Sequence, residues 1–404
     1  MNWFVNDRFG MFVHWGPYSL AARHEWVKTR EKLTDAQYQP YVDHFSPDLY
    51  DPAAWARTAK AAGMRYAVLT TKHHDGFCLW DSELTDYKAR RDLVEPFVAA
   101  CRAEGLRVGF YHSLIDWHHP EFPVDGTHPL RDARPPGERD IAVYRRYLHG
   151  QVRELLTRYG TIDYLFFDFS YAGRSEWWGG KGPEDWGSKE LLAMVRDLQP
   201  DILVNDRLGI PGDFVTPEQY QPSAPMPGLW EACQTLNGSW GYDRDNLDYK
   251  SADLLVRMLV DGVSKGGNLL LNVGPDGRGR IDPHATALLA EIGGWMELHE
   301  RSVRGCGPAE YAAPADCRYT RRGDRLYLHL FSWPLRHVHL PGLAGKVRYA
   351  QLLNDASEIR FVRTDPDQEA QNTRMGGQEP GTLTLELPVR RPDVLVPVVE
   401  LFLM

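Results

Sequence analysis

YLFFDF, residues 164–169, is an unbroken run of aromatic and aliphatic side chains interrupted only by one carboxylate, Asp168. A strand covered on both faces reads this way, whereas a half-exposed strand alternates apolar and polar residues. Amphipathic helical stretches flank it at 139–159 and 187–199. The same unit recurs outward in both directions. Apolar runs lie at 9–15 (FGMFVHW), 66–71 (YAVLTT), 107–113 (RVGFYHS), 201–206 (DILVND) and 268–274 (NLLLNVG), with further helical patterns at 52–62, 251–264 and 283–299. The first of these helices has Pro52 at its start and Gly63 just past its end, the residues that suit those positions. Strand–helix alternation of this kind predicts an α/β fold with a parallel sheet. No GxGxxG or GxxxxGK[ST] follows any run, so a nucleotide-binding open sheet is not indicated. The length suits a (β/α)8-like (TIM) barrel. Six runs are clear, and weaker ones at 214–220 and 228–235 complete the eight.

Beyond about residue 305 the pattern changes. Short period-two segments follow one another at 325–333, 338–343, 348–355, 358–364, 382–389 and 394–404, separated by turn residues and by no long helix. They predict a small C-terminal antiparallel β-sandwich. The division expected is a catalytic barrel over 1–305 and a β-sandwich domain over 306–404. The polar, glycine-containing stretch 365–381 reads as a mobile loop.

Composition narrows the function. The chain has 404 residues, with 46 Lys and Arg against 55 Asp and Glu, a net charge of −9. That argues against a nucleic-acid partner. The mean hydropathy is −0.45 and no window holds 18 apolar residues, so no membrane span is predicted. MNWFVNDRFG at the start has no signal-peptide pattern. The location expected is cytoplasmic, or secreted if the true N-terminus is missing. Five scattered cysteines without a CxxC favour reduced thiols over a disulfide framework or structural zinc. A homo-oligomer is compatible with all of this. Thirteen Trp, nineteen Tyr and fifteen His are numerous and clustered, as in HEW (24–26), KHHDGF (72–77) and DWHH (116–119). Such side chains offer an apolar face and a polar tip, which suits a sugar ring.

Polar residues gather where a barrel places its chemistry. His14, then Lys72 with His73, His74 and Asp75, then Tyr111 and His112, then Asp168, then Asp206 and Arg207 all sit at the C-terminal ends of runs. Asp168 is a carboxylate at the end of a buried strand, which is costly unless it is paired or used; a helix cap or an arginine pair is the alternative. Glu218 in FVTPEQY and Glu231 in GLWEACQ have apolar or aromatic neighbours, a setting that raises a carboxyl pKa and suits a proton donor. One Asp and one Glu are the pair glycoside hydrolysis requires, although sequence supplies no distance between them. The histidines allow a metal cluster as an alternative, but no HExxH occurs and no HxH follows a barrel run. Adjacent His73 and His74 would point to opposite faces of a strand unless the strand has ended. Neutral histidines that bind hydroxyls are the better use, and no metal or cofactor is expected. Lys72 and Arg207 supply positive charge that could hold Asp168 ionised.

Taken in order, RFGMFVHWGPYS, HEWV, KHHDGFCLWDS, GFYHSLIDW, LFFDFS, VNDR, TPEQ, WEACQTLNGSWGY and VSKGGNLLLNVGPDGRG resemble the glycoside hydrolase family 29 α-L-fucosidases from about residue 3 to 300. The resemblance implies a (β/α)8-like barrel and a retaining exo-α-L-fucosidase acting on fucosylated glycans or small fucosides. It implies Asp168 as nucleophile and Glu218, or second Glu231, as acid/base. It makes His14, His73, His74 and Tyr111 contacts to the sugar hydroxyls, and Glu25 and Trp26 a loop contribution. Arg207 is similar to the family's sugar-binding arginine, and Trp230 and Trp240 to walls of its pocket. Phe166 stands where the family often has Trp, which keeps an aromatic face without an indole donor. The alternatives are a catalytically inactive fucose-binding protein on the same fold and a metal-dependent barrel hydrolase.

Overall fold

The computed structural model describes residues 2–133, 139–172, 179–363, 369–370, 373–374 and 379–404. Eight parallel strands form one sheet: β1 (Phe9–Val13), β2 (Tyr66–Lys72), β3 (Arg107–Ser113), β4 (Tyr164–Asp168), β5 (Leu203–Val204), β6 (Phe214–Val215), β7 (Leu229–Thr235) and β8 (Asn268–Val273). Their order is β5-β4-β3-β2-β1-β8-β7-β6. A parallel bridge between Asn205 and Phe214 brings the two edges together and closes the barrel. The strands are buried on both faces, as continuous apolar runs require. Helices Asp35–His44, Pro52–Ala61, Val94–Ala103, Ile141–Arg158, Ser188–Leu198, Ala252–Ser264 and Pro283–His299 belong to the connections between them.

The weak runs at 214–220 and 228–235 are indeed strands, although β6 keeps only two residues. No α-helix follows β5 or β6; a short 3-10 turn, Asp206–Leu208, takes the place of the first.

Inside the barrel, aromatic side chains predominate, with Val68, Leu203 and Leu270 among them. Phe12, Tyr66, Tyr111, Tyr164, Phe166 and Phe214 pack together. The helix Asn2–Asp7 stoppers the end where the strands begin, with Phe4 5.0 Å from the Phe214 ring. Asn268 Nδ2 donates to the Phe4 carbonyl at 2.8 Å and fastens the stopper.

The C-terminal part is an antiparallel β-sandwich. One sheet contains β9 (Cys317–Arg322), β10 (Arg325–Leu330), β12 (Val347–Leu352) and β17 (Val398–Leu403), in the order β12-β17-β10-β9. The other is β11 (His337–Leu340), β16 (Leu383–Glu386) and β13 (Arg360–Arg363), with β16 central. Leu328, Leu340, Leu385 and Leu401 belong to the core between them. The ribbon β14 (Glu369–Ala370) and β15 (Thr373–Arg374) falls in the stretch 365–381, most of which lies outside the described residues. Strand β9 was not among the expected segments.

The sandwich is tied to the barrel. Trp295 Nε1 donates to the Val396 carbonyl at 2.8 Å, and Thr320 Oγ1 to that of Ser302 at 2.6 Å. Val396 and Val398 join the apolar core around the barrel.

Candidate active site

At the C-terminal ends of the strands lies a pocket of about 420 Å3, lined by residues that include His14, Trp26, His73, His74, Asp168, Arg207, Glu218 and Trp240. Asp168 is the last residue of β4, and its side chain is 13% exposed. Tyr111 donates its hydroxyl to Asp168 Oδ2 at 2.7 Å, and Arg207 Nη1 donates to Oδ1 at 2.7 Å. Burial opposes the charge on Asp168, but the Arg207 guanidinium and the Tyr111 hydroxyl outweigh it and hold the pKa below the ordinary carboxylate value. The pairing is thus with an arginine, as one reading of the sequence allowed, and the pair faces the pocket.

Arg207 lies in the 3-10 turn after β5. Its Nε donates to Thr216 Oγ1 at 2.9 Å and its Nη2 to the Thr216 carbonyl at 3.2 Å, which fixes the plane of the guanidinium. The same Nη1 that binds Asp168 lies 2.8 Å from Glu218 Oε2. One nitrogen therefore bridges the two carboxylates, whose bound oxygens can be no more than about 5.5 Å apart. Glu218 follows β6, where its backbone bridges to Cys233 of β7, and its side chain is 40% exposed. Asp168 forms the floor of the pocket and Glu218 faces its mouth.

Three histidines complete the floor. Strand β2 ends at Lys72, so His73 and His74 are released from strand alternation and both line the pocket. His14 Nδ1 lies 2.7 Å from Asn272 Oδ1, while Asn272 Nδ2 donates to the Trp240 carbonyl at 2.6 Å. The amide orientation makes His14 Nδ1 the donor and leaves its Nε2 a lone pair. Ser113 Oγ donates to the Ile115 carbonyl and so accepts from His74 Nδ1 at 2.7 Å, which gives His74 Nε2 a lone pair as well. That nitrogen sits 3.7 Å from Asp168 Oδ2. Burial drives all three imidazoles to the neutral form, His14 down to about 3 and His74 to about 4. Neutral rings with free lone pairs are acceptors for hydroxyl groups. Among the described residues no group of three or more His, Cys, Asp or Glu converges as a metal set.

Aromatic rings form the walls. Trp26, His74 and Phe169 meet with centroids 5.1–5.3 Å apart. Opposite them, Trp240 lies 5.0 Å from His14. Tyr111 supports the floor, stacked 5.5 Å from His73.

Several expected residues are elsewhere. Glu231 is the third residue of β7, buried near the stoppered end, where it accepts hydrogen bonds from Tyr66 and, at 2.7 Å, from Tyr164. Those tyrosines are the first residues of β2 and β4, so Glu231 does not reach the pocket mouth. Trp230, the preceding residue, faces outward. A Cβ on Gly267 would meet its ring at 2.3 Å, and its indole donates to the Lys265 carbonyl at 3.3 Å. Phe166 lies one layer below the pocket, with the Arg207 guanidinium 5.0 Å above its ring. Glu25 stands behind the wall, where its Oε2 accepts from Gly241 N–H at 2.8 Å. Lys72 binds Asp116 at 3.3 Å and Gln151 at 2.9 Å, both outside the pocket, and leaves Asp168 to Arg207. Phe169, Ser170 and Tyr171 line the pocket without having been singled out. Their position directly after Asp168, at a strand's C-terminal end, was the available signal.

A parallel barrel with paired carboxylates, neutral histidines and aromatic walls at its C-terminal mouth defines a glycoside hydrolase. Comparison with known proteins specifies which. The α-L-fucosidase family profile matches residues 1–301. The tissue α-L-fucosidase of Bos taurus is 31% identical over 368 residues, covering 82% of this chain and 75% of that one. Among solved structures, α-L-fucosidase isoenzyme 1 of Paenibacillus thiaminolyticus is 45% identical with a TM-score of 0.92, covering 100% of this chain and 98% of that one. A GH29 α-L-fucosidase of Bacteroides thetaiotaomicron, solved as a covalent intermediate trapped with 2-fluoro-fucosyl fluoride, is 27% identical with a TM-score of 0.86, covering 100% and 95%. The chain belongs to the α-L-fucosidases of glycoside hydrolase family 29.

Proposed function

We propose that the protein is a retaining exo-α-L-fucosidase in which Asp168 is the nucleophile and Glu218 the acid/base. The observation that carries this reading is the shared arginine: Asp168 and Glu218 bind one Arg207 nitrogen at 2.7 and 2.8 Å. Their Arg207-bound oxygens are at most about 5.5 Å apart, which is compatible with the separation of about 5–5.5 Å used by retaining enzymes and favours it over the roughly 6.5–9.5 Å of inverting ones. The trapped intermediate of the Bacteroides relative supports the same class.

In the first step a carboxylate oxygen of Asp168 attacks the anomeric carbon while Glu218 gives its proton to the departing glycosidic oxygen. The product is a fucosyl ester of Asp168. In the second step Glu218 takes a proton from water, which displaces Asp168 and restores both groups. Arg207 touches both carboxylates at once and so fixes their relative position. The solvent-facing position of Glu218 suits both a leaving group that departs outward and a water that enters.

His14, His73 and His74 accept hydroxyl protons of the ring, and the Trp26–Phe169 corner takes the apolar C6 methyl. A pocket of about 420 Å3 favours a single terminal sugar, presented by fucosylated oligosaccharides or small fucosides. Residues 1–305 act as the catalytic unit and 306–404 as a buttress. The cytoplasm is the proposed location, supported by five buried free thiols and testable by cell fractionation.

The test is hydrolysis of an aryl α-L-fucoside with and without azide, an anionic nucleophile that needs no general base. Asp168→Gly should be nearly inactive and be rescued by azide to the inverted β-fucosyl azide. Glu218→Ala should be rescued to the retained α-azide. Rescue of Glu231→Ala in place of Glu218→Ala would overturn the assignment.

A further inference from the structure

A second, larger concavity of about 700 Å3 opens on the flank of the barrel. Its walls are the helices Ala252–Ser264 and Pro283–His299 and the sandwich segments 331–333 and 391–395. Two of its aromatic rings are held in fixed orientations. Trp333 is partly exposed, packs against the sandwich core and donates its indole N–H to the Pro388 carbonyl at 3.2 Å. Phe331 is bracketed by the guanidinium groups of Arg257 and Arg318, each 5.4 Å from its centre. Leu298, 43% exposed, extends the apolar floor.

The charges are unevenly satisfied. Arg257 is paired with Asp253 at 2.7 Å, and Arg391 Nη2 donates to the carbonyls of Val394 and Leu395. Glu291 and Asp393 are exposed and have no partner among the described residues. Two free carboxylates disfavour an anionic ligand, but each accepts two hydroxyl hydrogen bonds.

Gly294 adds an independent observation. Its neighbour Gly293 is required by packing, since a Cβ there would meet the Ala61 carbonyl oxygen at 2.3 Å. A Cβ on Gly294 would meet nothing within 4 Å. Glycine destabilises a helix interior relative to alanine, and no neighbour demands it here. What it does provide is bare helix backbone on the wall of the crevice, where a ligand can approach closely.

We infer that this crevice is a second carbohydrate site, which holds a neutral oligosaccharide chain with a sugar ring on Trp333 and hydroxyls on Glu291 and Asp393. A partly exposed indole beside carboxylate acceptors is chemistry that binds uncharged sugars. A site that holds one part of a glycan raises the effective concentration of its other ends near the catalytic pocket.

The test uses the full chain and oligosaccharides without fucose: cellohexaose, mannohexaose and lacto-N-tetraose. Binding is read by saturation-transfer NMR with saturating L-fucose filling the other pocket. At least one probe should bind, and Trp333→Ala and Gly294→Gln should each weaken it by about tenfold. Hydrolysis of an aryl α-L-fucoside should stay within about twofold of wild type in both variants, because neither residue touches that pocket. Absence of binding by all three probes at about 10 mM, loss of binding to competing fucose, or wild-type binding by either variant in its folded form would each overturn the inference. Gly294→Gln, at an exposed position, decides if Trp333→Ala fails to fold.

Discussion

At Asp168, Arg207 and Tyr111 oppose burial and keep the carboxylate charged. Its pKa is depressed, so the active form is present above that pKa and is lost as pH falls through it. Tyr111→Phe removes one donor at 2.7 Å. The acid limb of the kcat/KM profile should therefore move up by about one pH unit, with lower activity at its foot; an unmoved limb would show that the hydroxyl does not stabilise the charge. Glu231 behaves oppositely. Burial outweighs its hydrogen bonds with Tyr66 and Tyr164 and pushes its pKa up to about 7. Its folded-state pKa lies above the unfolded value, so its contribution to stability is full below about pH 4.5 and declines as pH rises through about 7. The decline amounts to about 3 kcal/mol. Glu231→Gln should keep wild-type kcat and gain melting temperature relative to wild type between pH 5 and pH 8, as read by calorimetry. Asp168 and Arg207 were legible because they lie at or just past the C-terminal ends of apolar runs, and Glu218 because of its aromatic neighbours and the TPEQ motif. Glu231 misled because aromatic flanks accompany a buried glutamate at either end of a strand. Only its register, opposite Asn268 at the start of β8, distinguishes floor from mouth.

The elements carry the second set of consequences. Between β2, β3 and the helix Ile141–Arg158, Lys72 and Asp116 form a buried pair, 0% and 1% exposed. Lys72→Met would leave Asp116 charged and without its cation, at a cost of about 3–5 kcal/mol. Urea unfolding should show that loss, and Lys72→Met with Asp116→Leu should recover part of it. Gly10 has a comparable role in β1: a Cβ there would meet the Tyr66 ring at 2.2 Å. Gly10→Ala should cost about 1–3 kcal/mol by forcing that ring off Glu231. The six clear strands and the long helices were legible from their periodicity and stop signals. β6 was marginal because a two-residue strand carries no periodicity, whereas the run at 201–206 was clear although its strand keeps only Leu203–Val204. The helix Asp35–His44 escaped notice because it buries a single residue, Tyr38, although Thr34 and Gln37 form a capping box. β9 was hidden by its arginines, which reach outward to partners: Arg318 to Asp261 and, through a short contact, Arg321 to Glu310.

On the scale of the whole molecule, the barrel and sandwich share buried surface. Trp295, 2% exposed, donates across the junction to Val396, and Arg8 Nε donates to the Cys306 carbonyl at 3.0 Å. Cutting the chain after residue 305 would uncover the outer faces of Ala252–Ser264 and Pro283–His299. The 1–305 fragment should aggregate or melt well below the intact chain, and the intact chain should unfold in one calorimetric transition; an active, cooperatively folded fragment would contradict this. No helix among the described residues is long and apolar enough to cross a membrane. The antiparallel character of the tail was legible from its period-two pattern. How tightly it is joined to the barrel was not, because Trp295 and Val396 lie 101 positions apart.

The central claim is that Asp168 forms a covalent bond to fucose. Incubation with 2-deoxy-2-fluoro-α-L-fucosyl fluoride, proteolysis and tandem mass spectrometry test it directly. The account predicts a single 2-fluorofucosyl adduct on the peptide that contains YLFFDF, localised to Asp168. An adduct on Glu218 or Glu231, or hydrolysis of the reagent with no adduct at any time point, would contradict it.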